Sequence, residues 1–255
     1  MAGPQPEFSV SLARSAEDIR AAQRLRYRVF VEELGGGGIM VDHEQQLERD
    51  GFDACSRHLL LRDRHLPEPD QVVGVYRLMT RADAEEGLGF YTASEYDLAP
   101  LLASGRPLLE LGRSCLHPAY RGGPGMYHLW RALSDVIDEE GIGLLFGVAS
   151  FHGTDTSALA GPLSLLHHLH LAPPDLRPRS RDHVPMDILP PDRIDRPAAL
   201  RATPALIKAY LRLGGMIGDG AFVDHAFNTT DICLIVDTSR LNARLKAIYS
   251  SGIRV

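Results

Sequence analysis

Cysteine is scarce in this chain of 255 residues: Cys55, Cys115 and Cys233 form an odd set without repeated spacing. That argues against a disulfide framework and against a cysteine-rich zinc site, and makes the cytoplasm the simpler setting. Long apolar runs are also missing. The opening MAGPQPEFSVSLARSAEDIR has neither the basic region and apolar core of a secretion signal nor a membrane span. A contact at the membrane interface needs no span and stays open. Positive charge is in deficit, with a formal net charge of -6, which argues against a general nucleic-acid surface. Internal repeats and low-complexity linkers are absent too. The expectation is one domain over residues 1–255, with an elaborated loop region around 152–200.

What is present is an alternation of short apolar runs and turn signals. FSVSLA predicts a first strand. SAEDIRAAQRLRYRVFVEEL predicts a helix capped by Ser15, whose arginines Arg24, Arg26 and Arg28 fit a solvated face. Four glycines, Gly35 to Gly38, break that helix, and a markedly acidic stretch follows. HLLLRD and VVGVYRLMT predict an antiparallel pair. LLELGRSCL predicts another strand, HPAYRGGPGM a turn, MYHLWRALSDVIDEEG a helix, and IGLLFGVAS a buried strand. LSLLHHLHL and TPALIKAYLRLG predict helices, TTDICLIVDTSR a strand and turn, and the proline-rich segment between the two helices a punctuated surface stretch.

The turn in the middle is the first candidate site. A helix that starts just after Arg121, Gly122, Gly123, Pro124 and Gly125 offers early backbone N–H groups to an anion, and small residues permit close approach. An ordinary tight turn explains the same glycines. The spacing matches neither a phosphate-binding NTPase loop nor a dinucleotide fingerprint, so neither ATP nor NAD follows.

The wider pattern resembles the GNAT superfamily of N-acyltransferases, and within it the bacterial ornithine N-acyltransferases, relatives of the acyl-homoserine lactone synthases. Arg26 with Val29 and Phe30 is similar to an early RxxVF motif; Glu48, Asp50 and Asp53 to the acidic pattern after it; Gly74, Arg77 and Leu78 to a GxxRL strand; Glu110 and Arg113 to an ExxR strand. RYRVFVEELG, LLELGRSCLHPAYR and IKAYLRLGGMIGDGAFVDHAFNTTD are similar to the ornithine branch. Two departures stand out. Pro124 interrupts the usual donor-turn pattern, and the sole tryptophan is Trp130, where lactone synthases carry one early in the chain.

The resemblance implies an α/β fold with a mixed central sheet flanked by helices. It implies transfer of a 3-hydroxyacyl group from the phosphopantetheine arm of acyl carrier protein to the α-amine of L-ornithine, giving lyso-ornithine lipid, with no permanently bound cofactor, no metal and no nucleic acid. Another amine acceptor, lactone synthesis, or a noncatalytic carrier-binding or membrane-surface protein are the alternatives. Arg121, Gly122, Gly123 and Gly125 are then donor-binding residues. Glu110 is the candidate base for the ammonium proton, or else a structural partner of Arg113. Arg26, Glu48, Asp50, Asp53, Arg77 and Arg113 form an acceptor site or an ionic network. Asp224, His225 and Asn228 shape the acceptor pocket or hold their loop together.

Three other features carry less. Cys115 reads as core, because a thioester donor needs no covalent cysteine intermediate. The HHLH cluster at His167, His168 and His170 lacks metalloprotease spacing and fits a structural role. Arg179 and Arg181 are basic candidates for facing an acidic carrier, against the plain alternative of a solvated loop.

Overall fold

The computed structural model describes residues 5–240; the one-domain expectation also covers 1–4 and 241–255, which lie outside the described residues. In chain order the elements are β1 (Phe8–Leu12), α1 (Ala16–Arg26), β2 (Arg57–Asp63), β3 (Val72–Thr80), α2 (Arg81–Glu86), β4 (Tyr96–Asp97), α3 (Ala99–Ala103) and β5 (Leu108–Leu116). Then come α4 (Gly125–Glu139), β6 (Leu144–His152), α5 (Ala160–His170), β7 (Arg179–Ser180), α6 (Arg196–Ala202), α7 (Ala205–Arg212), β8 (Met216–Ile217), β9 (Phe222–Asp224) and β10 (Thr229–Asp237). They fall into two compact units: residues 5–88 with Leu111–Gly141, and Gly89–Glu110 with 142–240.

In the first unit β1, β2 and β3 run antiparallel, followed by the Leu111–Leu116 part of β5. The capping box predicted at Ser15 is formed: Ser15 Oγ accepts the Asp18 N–H at 3.1 Å, and the Asp18 carboxylate accepts the Ser15 N–H at 3.2 Å. Helix α1 buries Ala21, Ala22 and Leu25 against Leu60, Val75 and Cys115 on one face of the strands, then widens to a π-helix over Tyr27–Glu33. Helix α4 covers the other face. Gly74 permits that approach, since a Cβ there would meet Leu116 Cδ2 at 2.6 Å and Leu129 Cδ1 at 3.1 Å.

The second unit is a mixed sheet. Leu108–Glu110 of β5 pairs parallel with Leu144–Phe146 of β6, and β6 pairs antiparallel with β10 along its whole length. β8 and β9 both lie against β10, with α5 beside β8 and α7 beside β10. The proline-rich stretch differs from its surface reading. Leu176, Ser180 and Met186 are buried, and β7 pairs with β4, because backbone bonds to Asp219 and Ala221 hold the stretch in place of a helix or long strand. Among the described residues no helix is long and apolar enough to cross a membrane.

Candidate active site

Three arginines and three carboxylates close on one another in the first unit. Arg26, at the end of α1, is 0% exposed. Its Nε donates to the Glu48 carboxylate, Nη1 to Asp53 Oδ1 at 2.6 Å, and Nη2 to Asp53 Oδ2 at 3.0 Å and to the Glu48 carbonyl at 2.8 Å. Arg77 on β3 donates to Asp50 Oδ1 at 2.6 Å and to Asp53 Oδ1 at 3.1 Å, with its guanidinium 5.7 Å from the centre of the Phe52 ring. Arg113 on β5 donates to Glu48 Oε1 at 3.2 Å and Asp50 Oδ2 at 3.0 Å.

Three positive and three negative charges balance. Burying such a set is tolerable only because every carboxylate faces at least two donors. Burial pushes the Asp53 carboxyl up, but the charge and hydrogen bonds of Arg26, with Arg77 and Gln23, outweigh it and hold Asp53 far below the usual carboxylate range. Asp50, opposed in the same way by burial against Arg77 and Arg113, is also lowered. Burial lowers His58, so its neutral ring donates from Nε2 to the Asp53 carbonyl at 3.1 Å.

The glycine turn lies in the same unit. Pro124 precedes α4 and supplies no side-chain cap, and no acidic residue sits in the first turn, so the helix presents its early N–H groups without a built-in anion. Gly122 has a φ of +74°, the left-handed region that glycine enters without a Cβ penalty. At Gly125 a Cβ would stand 3.3 Å from Leu61 Cδ2. Arg121 is clasped by Glu33, Nη1 to Oε1 at 2.5 Å and Nη2 to Oε2 at 2.7 Å, while its Nε donates to the Leu116 carbonyl at 3.2 Å.

In the second unit Glu110 is buried, and its two carboxylate oxygens accept the backbone N–H groups of Tyr91 at 2.9 Å and Thr92 at 2.6 Å. The β5–β6 ladder has its last pair at Glu110 and Phe146. Asp224 Oδ1 accepts the N–H groups of Ala226 at 2.8 Å and Phe227 at 3.1 Å, which folds the β9–β10 turn; His225 and Asn228 are exposed on that turn, Asn228 with φ +52°. The carboxylates of Asp224, Glu95 and Asp231 lie within 4.8 Å of one another.

A sequence profile described as acetyltransferase (GNAT) domain matches residues 25–131. Over 255 residues, 99% of this chain and 98% of the relative, the chain is 55% identical to a Rhodobacter capsulatus protein named L-ornithine N(alpha)-acyltransferase. The chain belongs to the bacterial L-ornithine N(alpha)-acyltransferase family. A member of this family is an enzyme that moves an acyl group onto an amine. The fold is similar to that of the AHL synthase LasI, with a TM-score of 0.52 and 16% identity over 98% of both chains. It is also similar to that of FeeM, an N-acyl amino acid synthase from uncultured soil microbes, with a TM-score of 0.54 and 12% identity over 95% of this chain and 98% of FeeM.

Within this acyltransferase the expected site residues divide. Arg26 does not lie on a solvated face, as its helix position suggested, and four of its donor contacts go to Glu48 and Asp53. The six motif residues of the first unit form the ionic network. Arg113 pairs with Glu48 and Asp50. Arg179 pairs with Asp219 at 2.8 Å and Arg181 Nε donates to the Ala93 carbonyl at 2.7 Å, so both are tied within the chain. Cys115 is buried, which pushes its thiol up to about 12 and leaves no thiolate at neutral pH. His168 Nε2 donates to the Leu189 carbonyl at 3.0 Å.

Sequence reasoning missed several partners. Gln23 joins the network through Nε2 to Asp53 Oδ2 at 2.9 Å, and its place three residues before Arg26 was the available signal. Glu33 as the clasp of Arg121, and Tyr91 and Thr92 as the cradle of Glu110, come from tertiary contacts 88, 19 and 18 residues apart in sequence. No local pattern marks those pairs.

Proposed function

We propose that the enzyme transfers a 3-hydroxyacyl group from the phosphopantetheine thioester of acyl carrier protein to the α-amine of L-ornithine, giving lyso-ornithine lipid and the free carrier thiol. The single observation that carries this reading is the near full-length identity of 55% to a protein named for ornithine Nα-acylation. The uncapped start of α4, with Gly122, Gly123 and Gly125, supports the donor side: it offers N–H groups to the phosphate of the arm, and Arg121, clasped by Glu33, fixes the shape of the turn.

For the amine to attack, its ammonium must first lose a proton. We assign that proton to Glu110 through a water. The two Glu110 oxygens accept the N–H groups of Tyr91 and Thr92, which hold the carboxylate in one orientation for that water. The amine nitrogen then bonds to the thioester carbon, the C–S bond breaks, and the second proton lost by the nitrogen goes to the departing thiolate, giving the amide and the free thiol. On the acceptor side, Asp224 together with Glu95 and Asp231 gives the second ammonium of a diamino acid a concentration of negative charge. The same reading sets the reaction in the cytoplasm, with the amphiphilic product drawing the enzyme to the inner membrane face.

The test is intact-mass detection of products after mixing the purified chain with 3-hydroxyacyl carrier protein and L-ornithine, with acyl-CoA and a panel of other amines run separately. Acyl-ornithine with loss of the carrier thioester supports the reading. A product only with CoA, or only with another amine, overturns the donor or the acceptor assignment respectively.

A further inference from the structure

The first unit carries a row of exposed arginines that the chemistry described above does not use. Arg20, Arg24 and Arg28 recur every four residues along α1 and its π-helical extension, and all three are exposed while Ala21, Ala22, Gln23, Leu25, Arg26 and Tyr27 between them, and Val29 after them, are buried. Among the described residues no carboxylate pairs with any of the three, although Arg26, Arg57, Arg62, Arg77, Arg106, Arg113 and Arg121 each hold one. Of the acidic neighbours, Asp18 goes to Arg62 and Glu33 to Arg121, while Glu17 and Glu32 are exposed at the two ends of the row. The middle of the face thus presents three exposed arginines without a salt bridge, flanked by one carboxylate at each end, in a protein whose formal net charge is -6.

The row also points at the donor turn. Its last member, Arg28, lies within electrostatic reach of His117, whose ring burial, Arg28 and Arg121 together hold below its usual value. Five residues beyond Arg28, Glu33 clasps Arg121 at the head of the glycine turn. The stripe thus leads along the helix to the residues that precede α4.

Resting on the carrier-protein reading of the donor, we propose that Arg20, Arg24 and Arg28 form the docking surface for an acidic acyl carrier protein, which sets its phosphopantetheine arm at the glycine turn. A carrier must dock beside the place where its tethered arm enters. An exposed, unpaired cationic row steers an acidic partner, and long-range attraction acts on encounter and falls with salt. Lysine or arginine serves such steering equally, because no bidentate geometry is demanded of it.

The experiment compares the full chain with an R20E/R24E/R28E variant on two donors carrying the same 3-hydroxyacyl group: the loaded carrier protein, and the thioester of pantetheine without any protein. Circular dichroism and thermal unfolding establish that the variant is folded. We expect kcat/KM with the carrier to fall by about tenfold or more and to lose its dependence on ionic strength, with pantetheine turnover unchanged. An R20K/R24K/R28K variant should keep carrier activity near that of the parent. Reversing Arg193, Arg196 and Arg201, an exposed basic group in the second unit, controls for net charge and should leave both donors unaffected. Equal losses on both donors, an unaltered carrier rate, or a loss confined to the second-unit variant overturns the docking surface while the donor reading stands. A parent enzyme that turns over acyl-CoA and not the loaded carrier overturns the donor reading, and the docking surface with it.

Discussion

Replacing Arg26 with methionine separates a structural network from a substrate site. The parent network holds three guanidiniums and three carboxylates; the substitution leaves Arg77 and Arg113 against Glu48, Asp50 and Asp53, so a buried site of zero net charge acquires one unit of negative charge. Asp53 loses two donors and Glu48 loses the partner of its Oε2 and of its carbonyl. Removing one partner of a buried pair costs about 3–5 kcal/mol, which for a chain of this length is a fall in Tm of about 6–20 °C. Urea unfolding followed by circular dichroism reads the loss directly. In an R26M/D53N double variant the excess charge is removed, so part of the stability should return, and the pair should be non-additive by about 1–3 kcal/mol. The reasoning is refuted if R26M unfolds within about 1 kcal/mol of the parent while its KM for ornithine rises by tenfold, because Arg26 would then be holding substrate in place of the fold.

The remaining predictions concern pH, backbone and catalysis. Asp53 and Asp50 titrate below their unfolded values, so the stability they contribute is complete above pH of about 4 and is lost as the pH falls further. His58, also lowered, begins to withdraw its share below about pH 6.5; unfolding free energies measured from pH 3 to 8 should show a plateau at the top and two declining steps, with the lower step flattened in D53N. Arg113 has φ +48°, so R113G should be more stable than R113A by about 1 kcal/mol in urea titrations, whereas equal stabilities would mean that the left-handed backbone carries no strain. E110Q turns one acceptor of the Tyr91 and Thr92 N–H groups into a donor, which should cost about 1–3 kcal/mol of stability. The same variant should lower kcat by about 10²-fold or more with carrier binding intact; a rate within tenfold of the parent removes Glu110 as the base.

Much of the fold was legible because its signals are local. The Ser15 cap, the glycine turn and the apolar runs of β2, β3, β5 and β6 each depend on residues within a few positions of one another. The segment from Pro173 to Pro197 was not, since its proline spacing forbids regular elements but says nothing about which residues bond to partners 22 to 40 positions away, as Met186 does to Ser164 and Arg179 to Asp219. The same limit applied to the site. Arg26 carries the same side chain as Arg24 and Arg28, and only its angular position on α1, shared with Gln23, separates a fully buried cation from two exposed ones.

That separation bears on what the motifs can say about substrate. Arg26, Glu48, Asp50, Asp53, Arg77 and Arg113 carry most of the resemblance to the lactone synthases, and in the structure they spend their charges on each other. Residues engaged in this way fix the acidic loop Glu48–Asp53 against β3 and β5 and hold Arg113 in its left-handed backbone, a task that any acceptor would share. They identify the scaffold and do not choose between ornithine and another amine. Discrimination must come from side chains whose charge is directed at the acceptor's own distinguishing group, which for ornithine is a second ammonium. On this argument D231N should raise the KM for ornithine more than for norvaline, its analogue without the side-chain amine, whereas an equal effect on both would assign the Glu95, Asp224 and Asp231 cluster to the fold instead of to specificity.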